Sequence, residues 1–478
     1  MKRFEFVSVA TLPKLAWCAK VTKQSDCATV HHGLAVETLE NRFFEGVWDG
    51  PFGQAGFDSA HTFVGTGGAI DGDDFSFATP TNMFERLYSI RASDCLYVSN
   101  SLVFALVAAG DTLDPLYPWY YADDLLNIHR EGISRPENSW IHTASGNRLQ
   151  LHAYANIAVN SKELTVVRRE KNRPRVPPMF AGYLKLLEET VARIFENGRA
   201  GGRRLRFTPL VAISQGYDSP ATAVIACRAG CNKAFSFTNE PGSSEPSDSG
   251  RNIAEHLKLQ VTERSRWAYK SLPGAPEAEF CAFPDGTNVP AAALEDCFAS
   301  KIVLSGRHGD VVWSLDPARI LPLAQAPHSD SIYGANLIEF RLRVGFVNFP
   351  VPYIGALDSD IVHAISTSPE MAPWSIGGDY DRPIPRRIAE EAGVPRDWFG
   401  QNKFAGARVS LFDPLDMKRE ADAELVRQYK EILHRLETEP VLAHKHSRER
   451  VLYKGSPPKP NVFSFSWAVE RIRGRYAV

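Results

Sequence analysis

The feature that most constrains the fold is a change in hydrophobic pattern on either side of a basic, proline-rich segment at residues 170–178. Before it, the chain consists of short apolar or alternating runs, which are typical of strands. After it, short apolar runs alternate with stretches that carry apolar residues at helical spacing. Because repeated prolines stiffen a chain and cannot donate to a strand ladder, residues 170–178 are predicted to be a linker between two domains.

The two parts predict different fold classes. Residues 1–169 are predicted to form a β-rich α+β domain, with Gly- and Asp-rich turns at 65–68 and 71–73, strands at 61–64, 95–98 and 149–159, and a short helix at 102–109. Residues 179–478 are predicted to form an α/β domain with a doubly wound parallel sheet and a helical C-terminal part. Its strands are expected at 207–213 and 233–238, and its helices at 183–195, 219–229, 248–259 and 421–436. An aromatic segment follows around Phe463 to Trp467.

Charge and cysteine content exclude several classes of protein. The chain has 54 Lys and Arg against 56 Asp and Glu, a net charge of −2, so no generic attraction for nucleic acid is expected. No run reaches the roughly 18 apolar residues of a membrane span, and Glu5 and Pro13 interrupt any secretory signal. With seven scattered cysteines, we expect a cytoplasmic protein with reduced thiols, and the sequence leaves open whether it forms a homodimer.

Residues 211–220, Val-Ala-Ile-Ser-Gln-Gly-Tyr-Asp-Ser-Pro, carry the clearest chemical signal. They predict a buried strand, a turn of small and polar residues, and a helix capped by Asp218 or Ser219. Such a turn aims backbone N–H groups and the positive end of a helix at one point, where phosphate can bind. Gly216 would let the backbone approach the anion, and the Ser214 and Ser219 hydroxyls would donate to it. Since bare phosphate would repel Asp218, a useful carboxylate there implies a bridging Mg²⁺. The plain alternative is an ordinary strand–turn–helix connection.

The loop Ser214-Gln215-Gly216-Tyr217-Asp218-Ser219 resembles the Ser-Gly-Gly-x-Asp-Ser loop of the ATP pyrophosphatases, or PP-loop enzymes. From about residue 184 to about residue 408, further segments resemble the synthetase domain of asparagine synthetase and β-lactam synthetase. They are the strand at 234–238, which contains Phe237, the Asp248 helix, Leu-Ser-Gly-Arg-His-Gly-Asp at 304–310, Val-Pro-Tyr-Ile at 351–354, the pair Arg382 and Arg386, and Lys403. The resemblance implies an adenine nucleotide alpha hydrolase-like fold.

The resemblance also implies roles for individual residues, with ATP and Mg²⁺ as cofactors. Asp218 and Asp310 would hold Mg²⁺, and Lys403 would stabilise charge during adenylation and transfer. Arg307 and Glu339 are the other candidate catalytic residues. The candidate nucleotide-binding residues are Ser214, Gln215, Gly216, Tyr217, Asp218, Ser219, Phe237, Ser305, Gly306, Arg382 and Arg386.

Three departures from the family pattern fall in the half of the site that would bind the acceptor. Arg307 stands where asparagine synthetase has Glu and β-lactam synthetase has Tyr. Arginine stays protonated and cannot act as a base, but it could bind an anionic substrate group in a two-pronged contact. Val311 replaces the acidic residue that usually follows Asp310. Asn348 stands near the usual place of a Glu, although Glu339 supplies an acid earlier in the chain.

The N-terminal domain resembles the glutaminase domain that precedes the synthetase domain in asparagine synthetase, through residues 86–88 and 96–102. Glutaminases of this type need a Cys directly after the initiator Met, because its thiol attacks glutamine. Since Lys2 occupies that position, glutamine is not expected to be the ammonia donor.

These features predict an ATP- and Mg²⁺-dependent synthetase. It would adenylate a small-molecule or peptide carboxylate, release pyrophosphate, and form an amide or lactam with an amine other than glutamine-derived ammonia. Two alternatives stay open. One is a PP-loop ATPase that modifies nucleobases, of the 7-deazaguanine or tRNA-modifying kind, and the other is a degenerate module that binds a nucleotide without turnover.

Overall fold

The computed structural model describes residues 1–115, 117, 120–131, 135–172, 174–239, 247–283, 287–316, 332–378, 380–401, 418–438 and 464–478. In these residues the chain is a mixed α/β protein. Two largely antiparallel sheets come from the N-terminal part, and one fully parallel sheet comes from the C-terminal part. This confirms the predicted order of a β-rich part followed by an α/β part.

The N-terminal strands are β1 Arg3–Ser8, β2 Trp17–Thr22, β3 Cys27–His32, β4 Glu37–Leu39, β5 Arg42–Trp48, β6 Phe63–Asp71, β7 Asp74–Ala78, β8 Leu87–Ala92, β9 Cys95–Ser99, β10 Trp140–His142, β11 Arg148–His152, β12 Asn156–Asn160 and β13 Thr165–Arg169. They form a sheet in the order β1-β3-β2-β9-β8-β11-β10 and a second in the order β13-β12-β7-β6-β5-β4. One shared core of buried side chains joins them, in which the Trp17 ring lies 4.8 Å from that of Phe43.

The glycine-rich stretch at 65–68 is not the turn that the sequence predicts, because β6 runs straight through it. Gly65 pairs with Gly46 of β5, and a Cβ on Gly65 would lie 2.1 Å from the Glu45 carbonyl oxygen. A Cβ on Gly68 would lie 2.5 Å from the ring of Phe43. These glycines therefore allow the backbone of β5 and the ring of Phe43 to lie close to β6. The reversal of the chain comes later, at Gly72, whose φ of +58° suits a tight turn between β6 and β7.

Other N-terminal predictions are confirmed or refined. The strand at 95–98 is β9, and the helix at 102–109 is α1, Leu102–Ala108. A second helix, α2, spans Tyr120–Glu131. The single strand predicted at 149–159 is wrong, since β11 and β12 lie there in different sheets. Between them the chain turns at Tyr154, whose φ is +52°.

The C-terminal part is built on a parallel sheet whose strands are β14 Thr208–Ala212, β15 Lys233–Thr238, β16 Gln260–Ser265, β17 Lys301–Ser305 and β18 Val347–Pro350, in the order β16-β15-β14-β17-β18. The helices with it are α3 Phe180–Arg199, α4 Asp218–Arg228, α5 Arg251–His256, α6 Glu277–Cys281, α7 Glu295–Phe298, α8 Gly309–Val312, α9 Ile332–Ala335, α10 Ile338–Val344, α11 Ser359–Ser366, α12 Pro383–Glu391, α13 Arg419–Thr438 and α14 Ser464–Ile472. Because all five strands run in parallel, the loops that follow β14 and β17 leave the same edge of the sheet as neighbours.

The predicted strands at 207–213 and 233–238 and helices at 183–195, 219–229 and 421–436 are confirmed within a few residues. The helix predicted at 248–259 begins later, at Arg251, because Ser249 pairs with Ser214 and Asp248 accepts from the loop after β14. Trp467 lies in α14, whereas Phe463 lies outside the described residues.

The two parts meet along a buried interface. β13 ends at Arg169 and α3 begins at Phe180, which agrees with a connecting segment at 170–178. At the interface Arg341 of α10 is 1% exposed and pairs with Glu45 at 2.7 Å and with Glu85 at 3.1 Å. Among the helices of the described residues, none combines the length and the apolar character needed to cross a membrane.

Candidate active site

The loop after β14 is closed on itself by two serine hydroxyls. The Ser214 amide donates to Ser219 Oγ at 3.0 Å, the two hydroxyls share a hydrogen bond at 2.8 Å, and the Gly216 amide donates to Ser214 Oγ at 3.3 Å. Helix α4 then begins at Asp218, so that Tyr217 stands at the N-cap position, and the Tyr217 side chain makes no capping hydrogen bond. The predicted capping role of Asp218 or Ser219 is therefore wrong, since the Asp218 carboxylate turns towards Arg382 and Ser219 towards Ser214.

The loop after β17 packs directly against Asp218. A Cβ on Gly306 would lie 2.5 Å from the backbone carbon of Asp218, and a Cβ on Gly309 would lie 2.6 Å from its carboxyl carbon. Real Cβ atoms do not approach other atoms this closely, so both glycines are needed for the contact. The two loops that the sequence singles out as motifs are thus in van der Waals contact around one carboxylate.

Arg382 brings a buried positive charge to the same point. It is 6% exposed, precedes α12, and forms an ion pair with Asp218. Burial alone would lower the pKa of its guanidinium, but the carboxylates of Asp218 and Asp310 hold that pKa above its ordinary value. The Arg382 guanidinium lies over the ring of Tyr380, and burial raises the pKa of Tyr380 to about 12, which keeps its hydroxyl protonated.

A cavity of about 290 Å³ opens between these loops at the carboxyl edge of the parallel sheet. It is the meeting point of most residues that the sequence identifies as candidates. Those that line it are Ser214, Gly216, Tyr217, Asp218, Ser219, Phe237, Ser305, Gly306, Arg307, Asp310 and Arg382.

The two carboxylates fit the donor chemistry of a Mg²⁺ site. Asp218 and Asp310 both line the cavity, and oxygen ligands are the ones that Mg²⁺ prefers. Within the described ranges no cluster of three or more His, Cys, Asp or Glu side chains is placed to hold a metal. A Mg²⁺ ion at this place could take the two carboxylates as ligands, with phosphate oxygens and water completing the shell, which is the usual arrangement for Mg²⁺ bound with a nucleotide.

Gln215 and Arg386 support the loop from outside the cavity. The Gln215 amide donates to Asp248 Oδ1 at 3.2 Å, and its side chain donates to the Ser249 carbonyl at 3.1 Å. Arg386 is fully buried on α12 and donates to the Tyr217 hydroxyl and to Glu390. The sequence predicts that Arg386 binds the nucleotide, but it does not line the cavity and instead donates to Tyr217, which does.

Glu339 lies away from the cavity, contrary to the catalytic position predicted for it. Its carboxylate accepts hydrogen bonds from Ser101 at 2.7 Å and from Tyr476, so α10 directs it into the contact between the two parts of the chain. Burial raises its pKa to about 7, with the two hydroxyl donors acting in the opposite direction. The other predicted catalytic residue, Lys403, lies outside the described residues.

Several cavity residues carry no motif that sequence reasoning could have used. Tyr380 precedes Arg382 in the chain and is found only through its contact with Tyr217, whose ring lies 4.8 Å away. Asn288 accepts a hydrogen bond from Arg307, although the two residues come from different elements. Phe298 and Phe346 line the inner part of the cavity, where the sequence shows only ordinary core residues.

No protein-family model matches the sequence, and no curated protein matches it. The resemblance to asparagine synthetase and β-lactam synthetase therefore rests on the quoted segments alone. What the structure contributes is the geometry, in which the two motif loops meet at one cavity at the carboxyl edge of a parallel sheet.

Proposed function

We propose that the protein is an ATP- and Mg²⁺-dependent synthetase with an adenine nucleotide alpha hydrolase-like C-terminal domain. It would activate a carboxylic acid as its adenylate, release pyrophosphate, and pass the acyl group to an amine to form an amide or lactam. The observation that supports this proposal most is the contact of the loops after β14 and β17 around Asp218, with Asp310 and Arg382 at the same cavity.

In the first step a carboxylate oxygen attacks the α-phosphorus of ATP, and the bond between that phosphorus and the bridging oxygen of the β-phosphate breaks. The loop at 214–219 would receive the pyrophosphate as it gains charge, through its hydroxyls and the start of α4. Arg382 would stabilise the same charge as a fixed cation. Mg²⁺ held by Asp218 and Asp310 would neutralise phosphate oxygens.

In the second step an amine attacks the acyl carbon, AMP leaves, and the amine loses a proton. Arg307 lines the cavity beside Ser305 and Gly306, so its charge faces the side where the acid and amine would bind. Because arginine does not act as a base, its role would be to orient an anionic group and not to deprotonate the amine.

Exchange of radioactive pyrophosphate into ATP, driven by candidate acids, tests the proposal directly. Asp218→Asn keeps the shape of the side chain and removes the charge, so acid-dependent exchange should fall by at least about 100-fold. Asp360→Asn, on the exposed surface of α11, is the matched control and should exchange at the rate of the unaltered protein. Unchanged exchange in the Asp218 variant would contradict the assignment of the site.

One observation favours the second candidate, a module that binds a nucleotide without turnover. The ion pair between Asp218 and Arg382 occupies a carboxylate that would have to bind Mg²⁺. Calorimetric titration with ATP, with and without Mg²⁺, separates the two candidates when product AMP is measured in parallel. Tight binding that does not depend on Mg²⁺, with no AMP formed in the presence of any acid, would favour the binding module.

A further inference from the structure

The cavity extends beyond the phosphate loop onto one face of the parallel sheet. Side chains alternate along a strand, so Val303 and Ser305 of β17 point to the same face. Phe346, just before β18, and Asn348 within it line the cavity on that face as well. Asn348 pairs with Val303 in the sheet. The two polar residues, Ser305 and Asn348, therefore lie nearer the carboxyl edge of the sheet than Phe346 does.

Two of these residues carry buried polar atoms without a hydrogen-bond partner among the described residues. They are the Ser305 hydroxyl and the Asn348 amide nitrogen, on side chains that are 8% and 2% exposed. Leaving a buried donor unsatisfied costs about 1–3 kcal/mol, so such groups in a cavity point to a ligand that satisfies them. An amide NH₂ is only a donor, and therefore the matching ligand atom is an acceptor.

Arg307, two residues after Ser305, brings a positive charge to the wall of the cavity. Arg307 donates to Asn288 Oδ1, Asn288 donates to Asn336 Oδ1, and Asn336 donates to Thr287 Oγ1 at 3.1 Å. Asn288 and Asn336 are 3% and 1% exposed, so the chain of amides that orients the guanidinium is itself fixed by burial. Two donors and a guanidinium on one cavity wall select an anionic acceptor, and a carboxylate is, with phosphate, one of the two groups that a planar guanidinium binds by two hydrogen bonds.

The deeper end of the region is apolar. The Phe298 ring lies 5.1 Å from that of Phe346 and 5.0 Å from that of Phe235. Ala291 and Leu337 complete this end of the cavity. A ligand that satisfies the polar mouth would therefore place hydrocarbon, not a second charged group, against the aromatic rings.

We propose that this region is the subsite for a carboxylic acid whose carboxylate is attached to an aromatic or branched hydrocarbon body. Its carboxylate accepts hydrogen bonds from Ser305, Asn348 and Arg307, beside the phosphate loop, and its body contacts Phe298 and Phe346. Only the later reaction of the bound acid rests on the proposed function. Binding of the acid to the subsite requires no turnover.

Calorimetric binding of phenylacetate to the full chain tests the subsite, with L-aspartate as the polar comparison acid. Both titrations contain Mg²⁺ and a non-hydrolysable ATP analogue. Phenylacetate should bind at least about 10-fold more tightly than aspartate, because only its body is compatible with the aromatic end.

Asn348→Asp replaces the donor by a negative charge and should weaken phenylacetate binding by about 10- to 100-fold. Ser366→Ala removes a buried hydroxyl that has no hydrogen-bond partner within the described part of the chain and does not line the cavity, and it should change neither affinity.

A second variant tests the apolar end separately. Ala291→Phe adds a bulky ring to the wall of the cavity and should abolish phenylacetate binding while leaving the affinity for the ATP analogue unchanged. Loss of analogue affinity in either variant, measured without acid, would mean that the nucleotide base occupies this region, and would overturn the proposal. Equal phenylacetate affinity in Asn348→Asp, or preference for aspartate, would overturn it as well.

The outcomes for the subsite and for the synthetase are distinguishable. Selective binding of phenylacetate without any acid-dependent pyrophosphate exchange would support the subsite and contradict the proposed function. Exchange driven by aspartate but not by apolar acids would support the proposed function and contradict the subsite.

Discussion

At the scale of single residues, the candidate site depends as much on absent side chains as on present ones. Gly306 and Gly309 leave only enough room for Asp218 to lie between the loops after β14 and β17. Neither glycine has a positive φ, so glycine is needed at these two positions for space and not for backbone conformation. Asp218 in turn is held by Arg382. The position of one carboxylate is therefore fixed from three sides.

Gly306→Ala tests that contact. Its Cβ would lie 2.5 Å from the Asp218 backbone, so one of the two loops must move. We expect the affinity for Mg²⁺ and ATP, measured by calorimetry, to fall by at least about 10-fold. Gly53→Ala, where nothing lies within 4 Å of the added Cβ, serves as the control and should bind as the unaltered protein does. Unaltered nucleotide affinity in Gly306→Ala would show that the loop contact is not needed for binding.

Because Glu339 is buried at the interface, we expect its titration to change the stability of the folded protein and not the chemistry of the site. Burial raises its pKa to about 7 in the folded protein, above the ordinary value of 4.5. The folded state thus binds this proton more tightly, so the contribution to stability is complete below about pH 4.5 and is lost as the pH rises to about 7. The loss from this group amounts to at most about 3 kcal/mol. In Glu339→Gln the unfolding free energy, measured in urea at several pH values, should fall less over that interval, and an unchanged slope would contradict the assignment.

At the scale of elements, glycine has two different structural roles at two neighbouring positions. Gly72 turns the chain between β6 and β7 with a φ of +58°, as the sequence predicts. Gly65, in contrast, lies inside β6 opposite Gly46, with φ values of +142° and +109° that a side chain rarely adopts. Local composition does not separate these two uses, because the partner of Gly65 lies in another strand.

Gly65→Ala should therefore destabilise the N-terminal sheets strongly. The added Cβ would lie 2.1 Å from the Glu45 carbonyl oxygen in a backbone conformation that alanine does not favour. We expect a loss of at least about 3 kcal/mol in the free energy of unfolding, measured in urea. Gly72→Asn has open space around its Cβ, and asparagine tolerates a positive φ, so this control should stay within about 1 kcal/mol of the unaltered protein. A loss of similar size in both variants would contradict the explanation by close approach.

At the scale of the whole molecule, the two parts of the chain are joined by charge buried between them. Arg341 of α10 forms ion pairs with Glu45 of β5 and with Glu85, and all three side chains are at most 3% exposed. Arg341 also donates to the Phe346 carbonyl at 3.3 Å, at the inner wall of the cavity. The N-terminal sheets are thus connected to the backbone that shapes the proposed acid subsite.

Arg341→Met should destabilise the protein by about 3–5 kcal/mol, because it removes the cation that pairs with two buried carboxylates. Burial already raises the pKa of Glu85 to about 7, and removal of Arg341 would raise it further. The loss should be larger at pH 8 than at pH 5, where the Glu85 carboxyl is protonated, as thermal unfolding at the two pH values would show. Glu45→Gln and Glu85→Gln combined with Arg341→Met should recover part of the stability. A loss that does not depend on pH would contradict an electrostatic origin.

The connecting segment near residues 170–178, the parallel α/β character of the second part and most of the loop residues that line the cavity could be predicted from the sequence. These features are local, because periodicity, prolines and short motifs are written in consecutive residues. The folded chain was needed to show that Glu339 lies at the interface, that Arg386 contacts Tyr217, and that the glycines at 65–68 belong to a strand. It was also needed to show that Asn348, Phe298 and Phe346 line one cavity. The physical reason is the same in each case, since these positions depend on contacts between residues far apart in the chain.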